Sequence, residues 1–555
     1  MTVFFLIYLG LLHPGYEIND DLKIISIASG YPGGDPAPFL VYSNVLLGFI
    51  LIPLYALHTV LNWEMLLFSM INFFSLWGLL FILLLRPGPA RIKVFEGTVV
   101  LAGAAYFILN ITYSNVGLLA CFAGICMILA SARSSMLIQK APLLWGIALI
   151  LIGSLIRIEM LALLLPTTLM GLIFTARSLN LKNIVIGYLI AGLFVGAGYA
   201  LDKVYVRSNP GWHTYYFYNK TRQSLHDSHR LENLHSEIHH IGWSGNDQEL
   251  FARWFFPDQG IYSLDRIRYL DAHIPAVSSN LLRTAGVFFS TLMLPQPSAY
   301  FIIMAAIWLG ILSRKPSIRR AFILSTIWAI CLAENLFLAW AYKDPDNVLI
   351  STIICSTILG LVILPFTESN DTNLVSNSRH LAILSRSAFY GSILCVIVGM
   401  GLILRLSLQT SSINLNKQIA YQNIMDDLRN LQAEGKLSEN ALIISPAHGL
   451  PMEWSNPFLL EFPDIPYFDT GWITFSPPYE QVLQKFDINS LPDALYKKNN
   501  LYLMTRSNFT AFLARYYQEH ENTTVAFQAI YEMPNTFNFA GYNDIHLYKV
   551  VEINE

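Results

Sequence analysis

The strongest constraint on this chain is a succession of apolar runs close to the length that crosses a bilayer. They lie at Asn44–Leu61, Glu64–Leu85, Thr98–Leu109, Val116–Ala132, Leu143–Ile156, Met160–Ala176, Ile184–Leu201, Ala285–Leu312, Ala321–Ala341, Val348–Pro365 and Ala388–Leu404. A helix needs about 20 apolar residues to span the hydrocarbon core, so these runs predict about ten to twelve crossings. Only 13% of the 555 residues are charged and 54% are hydrophobic, a balance that suits lipid better than water. The formal net charge of -3 gives no sign of a nucleic-acid partner. All five cysteines sit in apolar runs, which leaves the polar regions without a disulfide or a Cys-based metal motif.

The connectors set an orientation. Arg86–Lys93, Arg133–Lys140, Arg177–Lys182, Arg314–Arg320 and the stretch holding Arg379 and Arg386 are basic and are expected inside. Asn110–Asn115, Arg157–Glu159, Asp202–Arg283, Lys343–Asn347 and the tail after Arg405 are then expected outside. Thr2–Leu12 is about half a span and carries neither the basic start nor the cleavage site of a signal peptide. Placing Gly15–Asn44 outside as well requires that Asn44–Leu61, with Pro53 and His58, be re-entrant or interfacial rather than an ordinary crossing.

Gly15–Asn44 is the stretch expected to carry chemistry, because it places Glu17, Asp20, Asp21 and Asp35 among segments built for lipid. Arg157, Glu159, Glu334, Asn335, Lys343, Asp344 and Asp346 gather toward the same membrane face. A secondary transporter instead places its binding groups near the midplane in repeated, broken helices, and no such repeat is present. The long connector Asp202–Arg283 holds Trp212, Tyr215, Tyr216, Tyr218, Trp243, Trp254 and Phe255, suited to sugar faces or to an interfacial belt. His226/His229 and His235/His239 have helical ligand spacing, and a solvated polar helix accounts for them as well.

From residue 408 the pattern changes to that of a separate α/β domain. Helix-like periodicity at Ile413–Leu431 is followed by a strand at Ala441–Ser445, a helix at Tyr479–Phe486, a strand at Leu501–Thr505 and a helix at Phe509–Glu519. Two further strands follow, TVAFQAIYEM and IHLYKVV, so a mainly parallel sheet with antiparallel edges is expected. No GxGxxG, P-loop or nucleophile elbow opens a strand, so no cofactor is assigned to this domain. Loop residues His448, Glu453, Trp454, Asp469 and Trp472 could line an acceptor groove.

Adjacent acids just after the first apolar segment (Asn19-Asp20-Asp21), many spans, a large later outer loop and a C-terminal outer domain resemble the GT-C superfamily of membrane glycosyltransferases. The resemblance implies a mainly α, polytopic bundle over residues 1–407, with outer loops at 13–63 and 202–283, and an extracytoplasmic α/β domain over 408–555. It also implies a polyprenyl-phosphate-linked sugar donor, a glycan, lipid or protein acceptor, and a place in the plasma (inner) membrane. Such a transfer needs a base for the acceptor hydroxyl and a cation or metal for the leaving phosphate. Asp20 is assigned as base, with Asp21 as alternate or metal ligand; the resemblance implies that one of the two is catalytic. Arg157 and Lys343 are assigned to the phosphate, and Asp35, Glu159, Trp243, Asn246 and Asp247 to substrate. A divalent metal such as Mg or Mn is a candidate cofactor, with Asp21, His226 and His229 as candidate ligands. A polysaccharide polymerase or ligase and a lipid or oligosaccharide transporter are the alternatives.

Overall fold

A computed structural model describes residues 2–86, 89–132, 140–175, 181–227, 237–274, 281–314, 318–341, 346–364, 379–446, 449–534 and 544–553. Among them, seven helices are long and apolar enough to cross a membrane: Trp63–Leu84, Ala90–Leu109, Tyr113–Ser131, Leu181–Ser208, Pro295–Arg314, Ile318–Ala341 and Arg379–Ala433. Shorter apolar helices stand among them, including Lys140–Ile156 and Ile158–Thr175. The chain is an integral membrane protein with a mainly helical body and a small C-terminal sheet. Val45–Leu57 has 13 residues with Pro53 inside, short of the length of a full crossing.

The Tyr113–Ser131 helix is buried along its whole length. It packs on Lys140–Ile156 along a seam of glycines seven residues apart, Gly117 and Gly124 against Gly153 and Gly146. A Cβ on Gly124 would stand 2.6 Å from the Gly146 carbonyl oxygen, and one on Gly146 would stand 2.7 Å from that of Gly124. In lipid, where the hydrophobic effect does not drive helices together, close backbone contact between small residues holds such a pair. The seam has a local consequence. Gly117 lies against the backbone of Arg157, which brings Arg157 beside Tyr113 and Ser114 at the polar end of the bundle.

Two very short strands, β1 (Gly15–Tyr16) and β2 (Asn110–Ile111), pair in parallel at that same end. The C-terminal sheet comprises β3 (Leu442–Ser445), β4 (Tyr467–Asp469), β5 (Leu501–Arg506), β6 (Val525–Glu532) and β7 (Ile545–Glu552). Its order is β4-β3-β5-β7-β6, with β4, β3 and β5 parallel and β7 and β6 antiparallel. This is the expected sheet, with β4 as a strand that sequence pattern did not reveal.

The expected division at 407/408 falls inside one helix. Arg379–Ala433 runs for 55 residues without a break, about 80 Å at 1.5 Å per residue, from the membrane body into the sheet domain. His13 donates its backbone N–H to Ser411 Oγ at 2.8 Å, and Asn414 and Gln418 donate to the carbonyls of His13 and Pro14, each at 3.0 Å. Leu460 N–H donates to the Val60 carbonyl at 2.7 Å, and Asn62 N–H to that of Phe458 at 3.1 Å. One continuous buried core joins Ile24, Phe39 and Leu40 to Trp212, Phe251, Phe468 and Trp472.

Candidate functional site

The acidic stretch is not a plain loop. Asp20–Ser29 is a ten-residue helix that buries Leu22, Ile24, Ile25 and Ile27, with both acids in its first turn, where the helix dipole favours negative charge. The two acids meet different surroundings. Asp20 is half-buried and accepts the indole N–H of Trp472 at 2.9 Å. Asp21 is fully buried, and its Oδ1 accepts the Tyr113 backbone N–H at 3.1 Å. Its Oδ2 is buried without a direct hydrogen bond, the Thr112 hydroxyl lying nearby. Burial pushes the Asp21 carboxyl well above the usual range; the Tyr113 N–H opposes this, while Asp20 and Glu17 add to it. Asp21 is therefore the acid withdrawn from solvent, and Asp20 is the one that stays partly exposed.

A third acid completes the group. Glu64 opens the Trp63–Leu84 helix, is fully buried with Asp21 as its acidic neighbour, and neither of its carboxylate oxygens makes a hydrogen bond. Asn62 fixes this helix start, accepting from Met65 N–H at 3.3 Å and donating to Tyr16 Oη at 2.6 Å and to the Pro457 carbonyl at 2.8 Å. Sequence reasoning passed over Glu64 because it marked the edge of an apolar run. An acid at that edge, one residue after Trp63 and at the expected outer end, was the available signal.

Arg157 reaches the same place. The chain leaves helical geometry at this residue, between Lys140–Ile156 and Ile158–Thr175. Its guanidinium lies 4.7 Å from the Tyr113 ring centroid, donates to the Ser114 hydroxyl, and has Asp20 as an electrostatic neighbour. The break also sets the geometry of a neighbouring pair. Two residues apart on a helix, Arg157 and Glu159 would diverge, yet here they approach to 3.9 Å. Tyr42 stacks on Tyr113 at 6.0 Å and meets Trp472 edge-on at 5.1 Å, closing an aromatic wall around Asp20.

The remaining candidates lie elsewhere. Asp35 is exposed beyond the far end of the Asp20–Ser29 helix, where it exchanges hydrogen bonds with Gln481 at 2.8 and 3.4 Å. Trp243 is buried, donates to the Ile261 carbonyl at 2.8 Å and packs on Phe251 and Tyr262, so it offers no face to a sugar. Trp212, Tyr215, Tyr218 and Phe255 are likewise core residues rather than an interfacial belt. Asn246 is buried and donates to the Phe512 carbonyl at 3.0 Å. Lys343 and His448 lie outside the described residues, as do His229 and His235.

Two places bear on a metal. Asp247, Glu519 and His520 bring one ligand atom each within 4.8 Å of one another. Their oxygens already have donors: Asp247 accepts from Ser244 N–H and meets His520 Nε2, while Glu519 accepts from Arg515 and Ser244. That arrangement is a helix capping box with a histidine over it. His226 stacks on Trp254 at 4.3 Å, and burial and the Arg222 cation hold it well below the usual histidine range. A metal ion beside Arg222 would be repelled. The orphaned oxygens of Asp21 and Glu64 fit a cation better.

Of the loop residues expected to line a groove, Glu453 and Asp469 border a cavity of about 40 Å³ beside Asn19, Lys23 and Tyr31, with room for water rather than a sugar.

No protein-family model matches this chain, and no curated protein matches it. Among solved structures it is similar to the crystal structure of ArnT from Cupriavidus metallidurans bound to undecaprenyl phosphate. The identity is 12% and the TM-score 0.48, over 99% of this chain and 96% of that one. At that level the likeness carries no inference about what this chain binds or does.

Proposed function

We propose that this protein is a membrane glycosyltransferase of GT-C type that moves a sugar from a polyprenyl-phosphate-linked donor to a glycan, lipid or protein acceptor. The reaction is placed at the outer face of the plasma (inner) membrane. The observation that carries the reading is the gathering of the half-buried acid Asp20 and its electrostatic neighbour, the Arg157 cation, at the polar end of the bundle, walled by Tyr113, Tyr42 and Trp472.

The chemistry follows from those positions. Asp20 takes the proton of an acceptor hydroxyl as that oxygen bonds to the anomeric carbon of the donor. The bond from that carbon to the phosphate oxygen breaks, and Arg157 stabilises the charge that collects on the departing lipid phosphate. Asp21, fully buried, holds the start of the Tyr113 helix by accepting the Tyr113 backbone N–H. The residues that would hold a divalent cation are Asp21 and Glu64, as deprotonated carboxylates, and the ion would add Lewis-acid stabilisation of the phosphate.

The test is sugar transfer by purified protein in lipid, from a panel of polyprenyl-phosphate sugars. Asp20→Asn is expected to lower transfer by about 10² to 10⁴-fold with folding intact. Asp21→Asn, which keeps an acceptor for Tyr113 N–H, is expected to retain far more. Equal transfer by wild type and Asp20→Asn would move the base elsewhere, and no transfer from any donor would favour a transporter.

A further inference from the structure

Away from Asp20, Arg222 is a buried cation without a counter-charge among the described residues. Arg222 lies on the Pro210–Asp227 helix and is 1% exposed. Its Nε and Nη2 both donate to Asn219 Oδ1, at 3.2 and 2.6 Å, and its plane lies 4.4 Å from the Trp254 ring centroid. Among the described residues no carboxylate pairs with it, and Nη1 is buried with no acceptor. An amide oxygen and an aromatic ring share a guanidinium's hydrogens and face, but they do not neutralise its charge.

The neighbours are unsatisfied as well. The Tyr218 and Tyr479 hydroxyls are buried without partners. Both rings stand edge-on to Phe475, at 5.0 and 6.0 Å between centroids. Arg222 is an electrostatic neighbour of Tyr218, and so is Tyr479. Tyr218 and Arg222 share one face of the Pro210–Asp227 helix, four residues apart, and Tyr218 and Tyr479 of the Pro477–Lys485 helix flank the same Phe475 ring, so three orphaned donors lie where that helix meets the sheet domain. Native interiors leave few such groups unpaired, so a gathering of them that includes a charge calls for a partner.

We infer that Arg222, Tyr218 and Tyr479 together hold a small oxyanion of the phosphate class between the Pro210–Asp227 helix and the C-terminal domain. Water would satisfy the two hydroxyls and leave the guanidinium charge uncompensated. A monatomic anion would balance the charge and offer a single point to three donors. A tetrahedral oxyanion does both, giving one oxygen to Nη1 and others to the phenols. The site is set apart from the Asp20 wall. Tyr215, seven residues before Arg222 and so about 10 Å along the helix, donates to the Trp472 carbonyl at 2.7 Å and stands between them. Bound there, the anion clamps the helix of the long connector to the sheet domain. The inference does not depend on sugar transfer.

The experiment uses the full chain purified in detergent without phosphate, with inorganic phosphate as the probe at constant ionic strength. Binding is read by equilibrium dialysis of labelled phosphate and by thermal unfolding. Wild type is expected to bind saturably and to gain thermal stability as the site fills. Tyr479→Phe and Tyr218→Phe keep their rings and are each expected to weaken binding about ten-fold or more. Arg222→Met is expected to abolish it; should that variant fail to fold, the two phenylalanine variants decide. A polyprenyl phosphate that displaces the label would identify a lipid headgroup as the natural source, and one that does not would identify a free anion. Absence of saturable binding, equal stabilisation by chloride, or unchanged affinity in both phenylalanine variants overturns the inference.

Discussion

Trp472 donates its indole N–H to Asp20 at 2.9 Å across 452 positions of sequence. The bond joins the first turn of a helix beside the membrane body to a loop of the C-terminal sheet domain. The proposed base is therefore oriented by a residue from the far end of the chain.

Trp472→Phe keeps an aromatic ring in the wall and removes the donor. Loss of a hydrogen bond to a charged group is worth about a ten-fold or larger fall in rate. Initial rates of sugar transfer are expected to fall by that order while thermal stability changes little. A large loss of stability with the rate per folded molecule unchanged would make Trp472 a packing residue.

Asp21 gives a pH dependence of known sign. Burial raises its carboxyl in the folded chain, so the folded state keeps a proton that the unfolded state releases near pH 4. The stability this contributes is complete below that unfolded value and is lost as pH rises through the higher folded one. Thermal unfolding in detergent is expected to show wild type weakening toward alkaline pH more steeply than Asp21→Asn. Parallel curves would mean that Asp21 is not the protonated group.

The glycine seam is expected to tolerate no side chain. Gly124→Leu forces apart helices whose backbones touch, at a cost of about 1–3 kcal/mol or more, and shifts Arg157 at the end of the seam. Gly192→Leu is the control, because an added Cβ there meets nothing within 4 Å. Melting in lipid should separate the two variants clearly.

Lys23 ties the acid-bearing helix to the sheet domain, donating to the Thr470 carbonyl at 2.9 Å and pairing with Asp469 at 3.1 Å. Both side chains are largely buried, 10% and 17% exposed, so Lys23→Met strands a charge at about 3–5 kcal/mol. Arg429 pairs with Asp464 at 2.6 Å but both are more than half exposed, and Arg429→Ala is expected to cost about 0–1 kcal/mol. The two melting temperatures are expected to reflect that difference.

The apolar runs and the sheet were readable because each is a local pattern: hydrophobic length for the helices, alternation of strand and helix for the domain. Asp20 and Arg157 were readable because polar groups at the ends of apolar runs stand out. The Asp20–Ser29 helix was hidden by its brevity, since ten residues flanked by Asn, Gly and Pro look like a polar connector until their apolar face is buried. Glu64 was hidden by belonging to a span, and β4 by being three residues long. Arg222 falls within the long connector and carries no signal of its own, although Tyr215, Tyr218, Arg222 and Leu225 follow the three- and four-residue spacing of one buried helical stripe. The pairing of Asp20 with Trp472 left no local trace at all.

That pairing also fixes an order of events during synthesis. Asp20 leaves the ribosome early, and the spans that follow it settle into the bilayer while Pro457 and Trp472 have yet to be translated. Throughout that interval Asn62 lacks its carbonyl acceptor, Asp20 lacks its donor, and the wall around the acids is open to water. The proposed site is therefore assembled after translation of the sheet domain, and a nascent chain stalled before residue 472 would be inserted in the membrane without it.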